Sequence, residues 1–357
     1  MYIRLAALSL VLLISAACTG GDSGNAPAAT PTPTPTATAS PTPTATPTPA
    51  AITTANAAQL KPGASFPATT PQRIVWSSTG VLWVVGTRTV DEVDPTTGTG
   101  KHVLELREPE RILGLSPAGL VATTGAGPTG SATAVRLRQI GFTEPRQTLE
   151  SGGVTTAASF FGNRVALVSG DQIGVSLWDT STGARVGALT GFQTAAPVYN
   201  LVVSEDGARA AWVSRATLQF MDVAANRLGT RVQTEDFIGT YAFAPDGRMF
   251  ATALGVPNAN GGIEGRIQLW DPAAGVEARR ITIPAPPTSL AFSAAAPILA
   301  TGTATGVTFW STADGTKIGT LDEATAGHVR LVALSSDGST LATVAEDGTV
   351  RFWRPTR

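Results

Sequence analysis

The residues of this chain able to do chemistry are few. There are two histidines, His102 and His328, and one cysteine, Cys18. His102 lies in a polar stretch beside Lys101 with no evident partner, and His328 follows Gly327 just ahead of an apolar run. A nucleophilic relay has no local signature: G-x-S-x-G is absent, as are the H-E-x-x-H and C-x-x-C spacings that seat metals. The glycine-rich Gly125 to Gly130 follows an apolar run but opens no helix. It lacks the helix N-terminus that cradles phosphate and reads as a hairpin loop. Asp94, Asp179, Asp222 and Asp271 recur just past apolar-aromatic runs, where a carboxylate caps the following turn. Recurrence at equivalent places means architecture rather than catalysis. A single cysteine leaves no intrachain disulfide, so the fold rests on its core alone.

The elements that carry these residues are short strands. Between Gly327 and Trp353, Val329 to Leu334 alternates apolar and polar residues and ends at Ser336-Asp337-Gly338. Leu341 to Ala345 ends at Glu346-Asp347-Gly348, and Val350 to Trp353 follows. Period-two alternation broken by Asp-Gly predicts antiparallel hairpins, because glycine supplies the positive φ of the turns. The end of the third run recurs as Val307-Phe309-Trp310, Ile267-Leu269-Trp270, Leu218-Phe220-Met221 and Val175-Leu177-Trp178, with weaker copies at Val90-Val93 and Val135-Leu137-Arg138. Taking Val93, Arg138, Trp178, Met221, Trp270, Trp310 and Trp353 as equivalent, the intervals run from about 40 to about 49 residues. No stretch carries the helical period that a parallel crossover needs, so an all-antiparallel, all-β fold is expected.

From about residue 55 onward these repeats resemble the WD40-repeat family. The elements that carry the resemblance are Gly327-His328, Ser204-Glu205-Asp206-Gly207, Ser335-Ser336-Asp337-Gly338, Trp178-Asp179 and Trp270-Asp271. It implies a seven-bladed β-propeller of four-stranded sheets. It also implies a buried hydrogen-bonded set of His, Ser/Thr, Asp and Trp within a blade. Only the last repeat offers all four, as His328, Thr343, Asp347 and Trp353, so the other blades are expected to be held mainly by apolar packing. The last repeat stops after its third strand, and the spare strand lies at Ala58 to Phe66. Gln59-Leu60-Lys61 and its neighbours are therefore expected to pair with Val350 to Trp353 and close the ring, removing a sheet edge.

Residues 1 to 17 read as a signal peptide: Arg4 is basic, and Leu5 to Ala17 is apolar but too short to span a bilayer. Ile14-Ser15-Ala16-Ala17-Cys18 resembles a bacterial lipobox, which implies acylation of Cys18. Ser15 replaces the usual leucine, and an ordinary signal peptide with an incidental cysteine is the alternative. Residues 18 to 54 form a Thr/Pro-rich linker in which proline forbids helix and little is available to bury. It is expected to be disordered, a tether of extended polyproline-II character, with residues 55 to 357 as the propeller. Its threonines permit glycosylation without requiring it.

Charged residues make up only 14% of the chain and the net charge is −1. That balance argues against a nucleic-acid surface, which needs clustered Lys and Arg. The innermost strands, read at Leu201-Val202-Val203, Tyr241-Ala242-Phe243 and Leu290-Ala291-Phe292, carry no ionisable group on this reading. The central channel then offers no general base or metal cage, and no cofactor is expected. What remains is a non-enzymatic, monomeric scaffold for a protein partner, displayed outside the cytoplasm and held to a membrane through acylated Cys18. An extracytoplasmic propeller enzyme or quinoprotein-like cofactor binder is one alternative, and an envelope-assembly scaffold is another. Two enlarged loops between second and third strands would rim one face of the ring. Gly125, Pro128 and Thr129 mark the first; Pro257, Asn258, Asn260 and Glu264 mark the second, within Gly255 to Gly265.

Overall fold

The alternating runs become short antiparallel strands in a computed structural model that describes residues 49–125, 134–169, 174–191, 200–322 and 328–356 of the chain. The strands form seven sheets of four. Blade one comprises Arg73–Trp76, Leu82–Val85, Thr89–Val93 and Gly100–Glu105. Six further blades follow in order, their innermost strands beginning at Ile112, Thr155, Asn200, Ile238, Ser289 and Val329. Within a blade the chain steps outward one strand at a time. First-to-second and third-to-fourth turns therefore lie on one face of the ring. Second-to-third turns and the connections between blades lie on the other.

A strand with both faces buried sends alternate residues to opposite sides, and that alternation builds the core. Val165 and Leu167 pack toward blade two, while Ala166 and Val168 on the same strand pack toward blade four. The buried apolar side chains of the described residues accordingly fall into seven clusters, one for each seam between neighbouring blades. No single sheet could bury its own faces; closure of the circle buries all of them.

The residues taken as equivalent from their spacing are equivalent in register. Val93, Arg138, Trp178, Met221, Trp270, Trp310 and Trp353 pair with Leu82, Val121, Val165, Ala210, Phe250, Leu299 and Leu341 on their second strands. The six apolar ones each join the cluster shared with the preceding blade.

The ring is closed by the front of the chain. Leu60–Pro67 pairs antiparallel with Thr349–Pro355, with Pro62 opposite Trp353 and Phe66 opposite Val350. Gln59 lies outside that ladder, in a short 3-10 turn, Ala57–Gln59. Two glycines seat the segment: a Cβ on Gly319 of blade six would collide with Ala58, and one on Gly100 of blade one with the ring of Phe66. The folded body also reaches further forward than residue 55. Ile52 is fully buried in the seam between blades six and seven, and its amide donates to the Gly338 carbonyl at 2.8 Å. The opposite seam, between blades seven and one, is locked by the Trp76 indole donating to the Ala333 carbonyl at 3.2 Å.

Candidate functional site

The hydrogen-bonded set expected in the last blade forms by half. Trp353 Nε1 donates to Thr343 Oγ1 at 2.9 Å, both side chains being fully buried. His328 does not join them. Its Nδ1 lies 2.8 Å from Glu346 Oε2, and its side chain is 42% exposed. Asp347 is also exposed and accepts from the Thr349 amide at 2.8 Å, capping its own turn. The assignment of His328 and Asp347 to a buried relay is therefore corrected. Glu346, next to Asp347, takes the histidine on the surface.

The indole–hydroxyl pair, in contrast, occurs beyond the last blade. Trp270 donates to Thr252 at 2.9 Å and Trp310 to Thr301 at 3.0 Å. A sequence signal for these existed: Phe250-Ala251-Thr252, Leu299-Ala300-Thr301 and Leu341-Ala342-Thr343 share one pattern, as does Val121-Ala122-Thr123. In blade three Leu167 stands where the threonine would be, opposite Ser176. Ser176 itself, two residues before Trp178, accepts the indole proton at 2.8 Å.

Blade two carries an ionic version. Arg138 stands in the tryptophan place with its side chain 12% exposed, and its Nη2 lies 3.1 Å from Oε2 of Glu110, which is 13% exposed. Arg136 also pairs with Glu110. Glu110 precedes the innermost strand, much as His328 does in blade seven. Blade five extends its pair outward: Gln268 bonds Thr252 at 3.3 Å and Glu277 at 2.6 Å, and Arg280 bridges Glu277 to Glu235. Arg266 then joins Glu235 to Glu264, the latter at 2.8 Å. A continuous polar chain thus runs from the buried indole of Trp270 to the surface.

The turn aspartates behave as caps. Asp179 Oδ1 accepts from the amides of Ser181 and Thr182, each at 2.9 Å. The Ser181 hydroxyl foremost, with the Thr182 amide, holds its carboxyl at about 2. In blade six Ser311 stands in the aspartate's place, and Asp314, bonded first by the Thr316 amide, is likewise held at about 2. His102 has a partner that the sequence did not reveal. Its Nδ1 lies 2.8 Å from Oδ1 of Asp91, directly across the strand pair.

Of the two expected partner loops, the second is described and differs from expectation. Gly255, Val256 and Pro257 pair with Gly265, Glu264 and Ile263, so the extra residues lengthen the hairpin as paired strands. The loop proper is only residues 258–262. Asn258 Oδ1 accepts from the amides of Asn260 and Gly262 at 3.0 and 2.9 Å and fixes the tip. Pro257 and Asn260 are exposed, Asn258 and Glu264 half-buried, and the neighbouring Ile263 is 61% exposed. Gly125 ends the second strand of blade two. Pro128 and Thr129 lie outside the described residues, as do Cys18 and the tether up to residue 48.

The channel requires a correction. A cavity of about 640 Å³ opens among the innermost strands, and Arg73 and Tyr241 line it, so its wall is not free of ionisable groups. Arg73 is the first residue of its strand, on the face that carries the connections between blades. Among the described residues no group of three or more His, Cys, Asp or Glu converges as metal ligands would.

The architecture and its seams define the fold: this is a seven-bladed β-propeller. Residues 315–354 match the family model described as WD domain, G-beta repeat. The chain is 29% identical over 203 residues to a guanine nucleotide-binding protein subunit beta of Arabidopsis thaliana, covering 52% of this chain and 51% of that protein. The corresponding subunit of Nicotiana tabacum matches at 29% over 52% of each. The chain thus spans about half the length of the curated relatives it matches. A solved chain in the structure titled Crystal Structure of Mitotic Checkpoint Complex superposes with a TM-score of 0.61 at 19% identity, covering 81% of this chain and 93% of that one. That likeness shows the fold.

Proposed function

We propose that the protein is a monomeric, non-enzymatic docking head, held on the extracytoplasmic side of a membrane by a lipid on Cys18, that presents one propeller face to a protein partner. The observation that carries this reading is where the chain enters the ring. Ile52 bonds Gly338 in the first-to-second-strand turn of blade seven. The described chain begins on that face. The opposite face, with the Asn258 hairpin and the connections between blades, is the one we assign to a partner. The relatives support a partner-binding role by name, one kind being a subunit and the structural neighbour coming from a complex.

Two measurements test it. Metabolic labelling with a fatty acid, followed by membrane fractionation, should mark and sediment the wild type but not Cys18→Ala; equal sedimentation of both would defeat the anchor. Proximity labelling from the displayed head should recover a partner that is lost when Gly255 to Gly265 is replaced by a two-residue Asp-Gly turn. Undiminished recovery would remove that hairpin from the interface.

A further inference from the structure

Arg73 has no counter-charge among the described residues. No described acidic residue bonds it or lines the cavity beside it. Water reaches its side chain, but the channel walls surround it. That enclosure pulls its pKa down, with only the nearby Tyr241 phenol working the other way. The guanidinium is exposed to the channel rather than buried, so an anion can reach it and no described carboxylate competes for it.

Other polar groups point to the same space. The Tyr241 ring is stacked on Phe250 at 5.9 Å, which fixes the phenol, and its hydroxyl makes no hydrogen bond with any other described residue. The Asn200 carboxamide, on the innermost strand of blade four, is likewise without one. The rest of the wall includes Leu113, Leu201 and Leu290. A concave space of about 640 Å³, its exposed wall mostly polar with leucines between and a few unpartnered donors lining it, has room for a small molecule.

We propose that the channel mouth binds a small monocarboxylate with an apolar body, its carboxylate gripped by Arg73 and assisted by Tyr241 and Asn200. The guanidinium fork matches a carboxylate in two parallel hydrogen bonds. One cation suits one negative charge; a dianion such as phosphate would leave a charge with no second described cation in the lining to meet it. The leucines take the body of the ligand. The site needs neither the lipid anchor nor a protein partner.

The test is calorimetric titration of the full chain at constant ionic strength with benzoate, its uncharged analogue benzamide, acetate and inorganic phosphate. Benzoate should bind saturably, with acetate weaker for want of an apolar body and benzamide and phosphate weaker still. Arg73→Gln should weaken benzoate about tenfold or more, the loss of a charge-assisted pair. It should melt as the wild type does, since the guanidinium makes no hydrogen bond or ion pair with another described residue. Tyr241→Phe should weaken binding by a smaller factor while keeping the ring stack. Equal benzoate binding by wild type and Arg73→Gln, phosphate binding tighter than benzoate, or no saturation by benzoate in the folded wild type would each overturn the proposal.

Discussion

Trp270 gives its indole proton to the hydroxyl of Thr252 at 2.9 Å, with the tryptophan 3% exposed and the threonine not at all. The two sit on adjacent strands of blade five, and the bond binds the third strand to the second inside the seam with blade four. Thr252→Val keeps the shape but strands a buried donor, which costs about 1–3 kcal/mol. Thr343→Val should cost the same through Trp353. His328→Ala should cost no more than about 1 kcal/mol, because its pair with Glu346 is on the surface. Urea unfolding of the three variants decides between this pattern and a buried relay, which would make His328→Ala as costly as Thr343→Val.

Glu110→Ala leaves the Arg138 guanidinium without its partner in the seam between blades one and two. Breaking one side of such a pair destabilises by about 3–5 kcal/mol, whereas replacing both sides with apolar residues is often neutral. Because Arg136 shares Glu110, Glu110→Leu with both Arg136→Leu and Arg138→Met should therefore be more stable than Glu110→Ala alone. Denaturant midpoints that rank the other way would mean the ion pair itself stabilises the seam.

Removing residues 52 to 67 takes away the fourth strand of blade seven and the buried Ile52, and exposes the edge of Thr349–Pro355. Scanning calorimetry should show a marked fall in the melting temperature or loss of a single cooperative transition. Gly319→Val and Gly100→Val should lower it too, by pushing against Ala58 and Phe66. An unchanged transition in the deletion would mean that the ring closes without its front strand.

Asp179 and Asp314 titrate near 2 in the folded protein and near 3.9 when unfolded. A carboxyl with a depressed native pKa stabilises fully above its unfolded value, and that stability is lost as pH falls from about 4 to about 2. Unfolding free energy measured from pH 6 to pH 2 should fall across that window. The fall should be shallower in Asp179→Asn with Asp314→Asn; identical slopes would dismiss the two caps as contributors.

Much of this architecture is written locally. Alternation along Leu341 to Ala345, the positive-φ glycines of the Asp-Gly turns and the interval between tryptophans each depend on neighbours a few residues away, and they were enough to count the blades and find the strand that closes them. Ser204 and Asp206 illustrate this: their hydroxyl and carboxylate organise a turn whose Gly207 has φ 72°, all within one short segment. The extension of the Gly255 to Gly265 hairpin was less legible, because glycines read as loop until the partner strand is in register beside them.

Radial position and seam are matters of the closed ring alone. Arg73 and Arg138 are both strand arginines. One faces an open channel with no described acid lining it, and the other faces a seam where Glu110 meets it. The sequence by itself determined a seven-fold repeat of small sheets and the segment that joins its ends, since those follow from local alternation and period. Only the tertiary structure decided which polar side chains meet across seams and which look into the channel, because such pairs are brought together by the circle and not by the chain.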